Sequence, residues 1–150
     1  MAAGCGGGSL APDTTRVGEG TQVSPQRYLA DTDAAGAAVA EFTRDLTTVG
    51  NVATPEALTR AAPALRATLQ DAEALSQRLS AERVEDTRLE TQRAHAATAL
   101  EDVVVAMRQA TDAASGSRPT RFVQAVDAYS DAVAEVVAEA EAVLRELTGG

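Results

Sequence analysis

Four carboxylates recur at every fourth position near the C-terminus: Asp127, Asp131, Glu135 and Glu139. On a helix this spacing places them along one face, where neighbouring turns carry like charges that repel each other. A calcium site would instead draw its oxygen ligands from a loop with a glycine at the bend, and this stretch has no such loop. The four residues, called the acidic ridge below, are therefore predicted to form a solvated face. Docking of a basic partner is their functional alternative.

The single histidine, His95, has neither a glutamate nor a cysteine at metal-ligand spacing on its turn. The Glu-x-x-His pairs of di-iron helical bundles are also absent. The sequence contains no nucleophile elbow, and its N-terminal glycines do not lie between a strand and a helix as in a phosphate-binding loop. We therefore predict that the chain has no catalytic residues, no metal site and no cofactor, and that it is not an enzyme.

The single cysteine, Cys5, ends the run Ala2-Ala3-Gly4-Cys5, which Gly6-Gly7-Gly8-Ser9 follows. This arrangement resembles the lipobox of bacterial lipoproteins, although Ala2 stands where that family usually has leucine. The resemblance implies that Cys5 becomes the first residue after processing and that its thiol and amino group carry acyl chains. It also implies a cell-envelope protein, lipid-anchored on the outer side of the cytoplasmic membrane.

A lipoprotein signal also needs a basic start and an apolar segment before the lipobox, and only Met1 to Gly4 precede Cys5 in this sequence. We therefore expect the codons upstream of Met1 to encode such a segment in frame. If they do not, the motif is incidental in a chain rich in glycine and alanine, and the protein is cytoplasmic.

Composition limits the classes of partner. A chain of 150 residues is expected to form one domain. Its formal net charge of -9 argues against nucleic acid and anionic lipid head groups, because both attract positively charged surfaces. No window approaches the ~18 consecutive apolar residues of a membrane-spanning helix.

Residues 1–23 are rich in glycine, show no hydrophobic period and are predicted to form a disordered leader or tether. Residues 24–150 form the predicted helical domain. Ser24-Pro25 and Thr54-Pro55 are helix starts, with a hydroxyl at the N-cap and proline at the first helical position. Gly50-Asn51 and Ser115-Gly116-Ser117 are helix ends. The predicted helices span residues 25–49, 55–81, 85–114 and 119–148.

Each predicted helix carries an apolar stripe with alternating steps of four and three residues. The stripe of the first helix consists of Leu29, Thr32, Ala35, Val39, Phe42, Leu46 and Val49. The stripe of the last helix consists of Phe122, Val126, Tyr129, Val133, Val136, Ala140, Val143 or Leu144, and Leu147. These stripes predict that each helix buries one face against its neighbours.

The junction at residues 80–87 is the least marked boundary, because it contains neither glycine nor proline. The heptad pattern continues through this junction, but its core positions become polar at Glu82, Asp86 and Arg93. The polar run favours a tight hairpin. The alternative is a continuous helix that would give an elongated three-helix coiled coil and a dimer.

The predicted fold class is all-α, an antiparallel up-down bundle of four helices, because short connections force neighbouring helices to run antiparallel. The leading functional hypothesis is a non-catalytic lipoprotein whose bundle serves as an interaction module or spacer. One alternative is a cytosolic module that binds a protein partner or a second copy of the chain. The other is a small-ligand binder whose cavity is lined by Phe42, Leu100, Met107, Phe122 and Tyr129.

Overall fold

The computed structural model describes residues 20–149, apart from the side chain of Leu147. The elements in chain order are β1 (Thr21–Val23), α1 (Pro25–Thr47), α2 (Pro55–Ala81), β2 (Glu82–Val84), α3 (Thr87–Ser115) and α4 (Pro119–Thr148). The predicted all-α class and four-helix bundle are confirmed. Two helices have the predicted bounds, whereas α1 ends earlier than predicted and α3 is displaced toward the C-terminus. Among residues 20–149, no helix combines the length and hydropathy that crossing a membrane requires.

Local side-chain hydrogen bonds start three of the helices. Ser24 Oγ accepts from the Arg27 backbone N–H at 3.1 Å, and Thr54 Oγ1 accepts from the Ala57 N–H at 3.1 Å. Asp86 Oδ1 accepts from the Leu89 N–H at 2.9 Å. Each bond satisfies one of the first backbone donors of a helix, which have no partner within the helix itself.

Neighbouring helices run antiparallel, as predicted. Arg108 of α3 donates to Glu73 Oε1 of α2 at 2.7 Å, and Arg66 of α2 donates to Ser115 Oγ of α3 at 3.0 Å. The residue of α2 with the higher number therefore pairs with the residue of α3 that has the lower number, so these two helices run antiparallel. The buried side chains of all four helices form one hydrophobic core.

The junction between α2 and α3 is a turn, so the predicted hairpin is confirmed and the continuous-helix alternative is wrong. The helix stops because Glu82 adopts an extended conformation (φ -76°, ψ 153°), and Asp86 then caps α3. The short strand β2 at this turn pairs in parallel with β1, with Thr21 opposite Glu82 and Val23 opposite Val84. The sequence did not predict this pairing.

The three residues of β1 belong to the segment that the sequence assigned to the leader. Just before them, Gly20 has a φ of 76°, and a Cβ at this position would lie 2.2 Å from the Ala81 carbonyl oxygen. Glycine is required there, because it alone combines this backbone conformation with so close an approach. The paired strands β1 and β2, called the strap below, therefore fix where the chain enters the bundle.

The inward face of α1 differs from the prediction in its first turns. Leu29 is 55% exposed, whereas Tyr28 and Asp31 are each 5% exposed. The prediction for Leu29 is wrong because Asp31 turns inward to pair with Arg78 of α2, and Tyr28 lies on the same face. Leu29 is thereby left exposed on the surface of α1.

Candidate functional site

All four carboxylates of the acidic ridge are exposed on α4. Glu139 also borders a groove between α3 and α4. No group of three His, Cys, Asp or Glu side chains among residues 20–149 is arranged to hold a metal ion. The ridge is thus a solvated face, and its role in docking stays a prediction. Cys5 lies outside the described residues, and its lipidation also stays a prediction.

The first half of α4 is buried in the bundle. Phe122 and Tyr129 are at most 4% exposed, and the rings of Tyr129 and Phe42 have centroids 5.2 Å apart. The Tyr129 hydroxyl donates to the Val39 carbonyl at 3.0 Å and lies 2.8 Å from Thr43 Oγ1. These contacts hold α4 to α1 at the level of Tyr129.

The second half of α4 is not buried. Every residue from Ser130 to Glu146 is either half-buried or exposed, and Val137 is 51% and Leu144 59% exposed. Ala140 is exposed, and Val133 is half-buried. The predicted stripe of α4 is therefore buried at Phe122 and Tyr129, half-buried at Val126 between them, and only partly covered beyond Tyr129.

Exposed and half-buried side chains on one side of α4 follow a regular spacing. Val123, Ser130, Val137 and Leu144 are seven residues apart, and Val126, Val133 and Ala140 each follow one of them by three residues. Seven-residue spacing with a second position three residues later is the a/d pattern through which helices pair as coiled coils. The side of α4 that lacks cover is thus patterned to receive another helix.

The side of α1 that contacts Tyr129 continues along the helix toward its N-terminus. Val39 and Thr43 contact Tyr129, and helical spacing continues this face through Gly36 and Thr32 to Leu29. A Cβ on Gly36 would meet no atom within 4 Å. By helical position, Leu29, Thr32 and Gly36 of α1 and Val133, Val137 and Leu144 of α4 lie on this side, and we call the surface that they form the α1–α4 groove.

A second groove, of about 330 Å³, lies on the other side of α4 against α3. Val136, Ala140 and Val143 contribute to its apolar lining, and Tyr28 reaches its edge from α1. Glu139 and Glu146 border it. The acidic side chains of α4 therefore lie beside apolar surface. His95 also lines this groove and is exposed, as expected for a histidine on the flank of a helix.

A buried cluster of charged side chains joins α1, α2 and the strap. Asp31 accepts from Arg27 Nε at 2.8 Å and from Arg78 Nη1 at 3.0 Å. Glu82, only 3% exposed, lies beside it with its Oε1 4.0 Å from Arg27 Nε. Its Oε2 is buried without a hydrogen-bond partner among the described residues. When the Glu82 carboxyl is protonated, this oxygen can donate a hydrogen bond. When the carboxyl is ionised, the oxygen can only accept one.

The pKa values of the two carboxyl groups in this cluster are shifted in opposite directions. Burial, the hydrogen bond with Asp31 and the negative charge of Asp31 raise the pKa of Glu82 from 4.5 to about 7. Burial alone would also raise the pKa of Asp31. Hydrogen bonds from Glu82, Arg27 and Arg78 outweigh it and hold the pKa of Asp31 below its usual value. The pair therefore holds one proton in mildly acidic solution.

Arg93 ties the strap to α2 and α3. Its guanidinium donates two bonds to Glu90, at 2.7 and 2.9 Å, and a third to the Leu79 carbonyl at 2.7 Å. Glu90 in turn accepts from the Val84 backbone N–H at 2.9 Å. Arg93 thereby satisfies one of the last carbonyls of α2, and its hydrogen bond lowers the pKa of Glu90.

Sequence reasoning did not predict this cluster. It assigned Glu82, Asp86 and Arg93 to core heptad positions, and of these Glu82 and Arg93 are buried, whereas Asp86 is exposed. It missed Asp31, although Arg27 four residues earlier is a signal for an ion pair along one helix face. The α1–α4 groove was also missed, since periodicity does not tell how far a stripe is covered.

The five residues proposed to line a ligand cavity lie in the core. Phe42 and Met107 are fully buried, and Leu100, Phe122 and Tyr129 are at most 6% exposed. They belong to one packed hydrophobic cluster. Ligand binding at this position stays a prediction.

Comparisons of the chain with protein-family models, curated proteins and solved structures gave no significant match, so no relative assigns a role to these residues.

Proposed function

We propose that the protein is a non-catalytic, lipid-anchored protein of the cell envelope whose helical bundle docks a protein partner. The observation that carries the docking role is the α1–α4 groove. Apolar residues at coiled-coil spacing continue along α4 as far as Leu144, whereas the last buried side chain that the structure describes on this helix is Tyr129. Contiguous apolar surface left in water is typical of a surface that binds another protein.

The lipobox-like run at Cys5 supports the anchor. The chain enters the bundle at Gly20, beside the end of α2 and the start of α1, and this is the end toward which the α1–α4 groove is uncovered. The 15 residues from Gly6 to Gly20 can extend over roughly 50 Å. This length limits how far the strap end of the bundle, and a partner bound there, can lie from the membrane that holds Cys5.

Mass spectrometry of the native N-terminus tests the anchor. We expect diacylglycerol on Cys5 in protein recovered from membranes, and loss of membrane association in a Cys5→Ser variant. Upstream codons should encode a basic and apolar segment in frame. An unmodified Cys5 in the soluble fraction would instead favour a cytosolic interaction module.

Thiol labelling tests the docking role. Val137 lies in the groove and is 51% exposed, and Val105 on α3 lies outside it and is 48% exposed. With Cys5 acylated, Val137→Cys and Val105→Cys each supply one reactive thiol. We expect maleimide to label Val137→Cys several-fold more slowly in native membranes than in purified protein, and Val105→Cys equally in both. Equal labelling of the two variants in membranes would contradict docking at the groove.

A further inference from the structure

The partner of the α1–α4 groove can be inferred from its shape and its charges, an inference that rests on the proposed function. The groove is lined by side chains from two antiparallel helices, and its α4 side follows the a/d spacing of a coiled coil. Gly36 leaves room for close backbone approach, while Val137 and Leu144 offer apolar contacts. A helix with an apolar stripe fits this surface as a fifth helix of the bundle.

The charges beside the groove indicate the sign of the charge that its partner carries. Four of the six carboxylates from Asp127 to Glu146 form the acidic ridge on another side of α4, so the charges beside the groove decide the sign. Glu141 lies beside Val137 and Leu144 on the helix surface, and Asp33 is exposed on α1. A helix flanked by lysine or arginine would complement Glu141 and Asp33.

A second copy of this chain is disfavoured as the occupant. Pairing α4 with another α4 would bring two strongly acidic segments together, and each whole chain has a formal net charge of -9. Repulsion between like charges opposes such a pair. We infer that the α1–α4 groove binds a basic amphipathic helix of another protein.

Two synthetic helices that differ only in the sign of their flanking charges test this inference. Both carry leucine at their a and d positions, one with lysine and the other with glutamate at the flanking positions. We expect the lysine helix to bind the full chain at least about tenfold more tightly than the glutamate helix, and its affinity to fall with added salt. Fluorescence anisotropy of labelled helices measures both affinities.

Two matched variants locate the binding. Val137→Asn removes an apolar contact in the groove, and Val105→Asn makes the same change at nearly equal exposure on α3. The first variant should weaken binding of the lysine helix by about tenfold, and the second should change it by less than about twofold. Neither substitution alters the net charge or the buried core.

Several results would overturn the inference. If both helices bound equally and Val137→Asn weakened both, the groove would still be a docking site, but its partner would not be basic. If neither helix bound, or if Val137→Asn had no effect, the groove would not receive a basic helix. A chain that sediments as a dimer, and as a monomer after Val137→Asn, would show that the occupant is a second copy. Mass spectrometry of Cys5 is independent of all these results.

Discussion

The two halves of the bundle are held together by different chemistry. The half that contains the α1–α2 and α3–α4 turns is joined by apolar side chains, with Phe42, Leu58, Leu65 and Met107 fully buried. In the half that contains the strap, buried polar groups join α1, α2, β2 and α3, and they include Asp31, Glu82 and Arg93. The strap half is less covered along α4, where Val137 and Leu144 are more than half exposed.

The difference follows from which helices supply the charges. The buried cluster draws its members from α1, α2, the strap and α3, and no residue of α4 takes part in its hydrogen bonds among residues 20–149. Ion pairs need specific partners, so a helix that supplies none is not held by them. The second half of α4 is thus free to offer its apolar side chains to another molecule.

Phe42→Ala is expected to have the largest effect on stability, because it leaves a cavity in the core of the apolar half. Phe42 is fully buried, and its ring packs on Tyr129. We expect the free energy of unfolding to fall by about 3–5 kcal/mol. Leu29→Ala, a change on the same helix at a position 55% exposed, should cost less than about 0.5 kcal/mol. Urea unfolding of the two variants measures both values, and similar losses would refute the distinction between the two halves.

Glu82→Gln tests the polar half through its dependence on pH. The folded protein holds the Glu82 proton up to about pH 7, whereas the unfolded chain releases it near 4.5. The folded state therefore binds more protons in this window, and stability must fall as the pH rises through it, by up to about 3 kcal/mol. Glutamine stays neutral and can donate to Asp31, so the variant should lack this fall and be more stable than the wild type near pH 8.

Asp31 acts in the opposite direction. Because its folded pKa lies below the ordinary value of 3.8, its contribution is present above that value and is lost as the pH falls through the folded pKa. The combined contribution of these two groups is therefore largest in acidic solution, between the folded pKa of Asp31 and that of Glu82. Urea titrations near pH 5 and pH 8 measure the slope for Glu82, and an equal slope in wild type and variant would contradict the assignment.

The sequence predicted those features that depend on neighbouring residues. Ser24-Pro25 and Thr54-Pro55 start α1 and α2, because a capping hydroxyl and a proline act within one helical turn. The pairing of Thr21–Val23 with β2 could not be predicted, since three residues carry no usable period and their partner lies some 60 residues away. The ion pair of Asp31 with Arg78 is long-range in the same way.

The extent of burial was also beyond the sequence. The period of α4 continues beyond Tyr129, but whether a neighbour covers it depends on how four helices diverge. Sequence reasoning placed the acidic ridge correctly on a solvated face, since charges spaced by four residues share one side of a helix. It could not show that an uncovered apolar groove lies on another side of the same helix.

Leu144→Ala is expected to have the smallest effect and tests the strap half directly. Leu144 is 59% exposed, and alanine is an equally good helix former, so the loss should be below about 0.5 kcal/mol. Leu100→Ala is the matched control, because Leu100 is 6% exposed on α3 and its removal should cost about 2–5 kcal/mol. Urea unfolding at low and high protein concentration gives both losses.

Equal losses at Leu144 and Leu100 would mean that the second half of α4 is packed in solution. If the loss at Leu144 grew with protein concentration, the packing would come from a second copy, and a basic partner would be excluded. A small loss that is independent of concentration would leave Leu144 with no role in stabilising the fold. Since Val137 shares its heptad position and its exposure, the same reasoning applies there, and the apolar character of this side of α4 would be accounted for by binding alone.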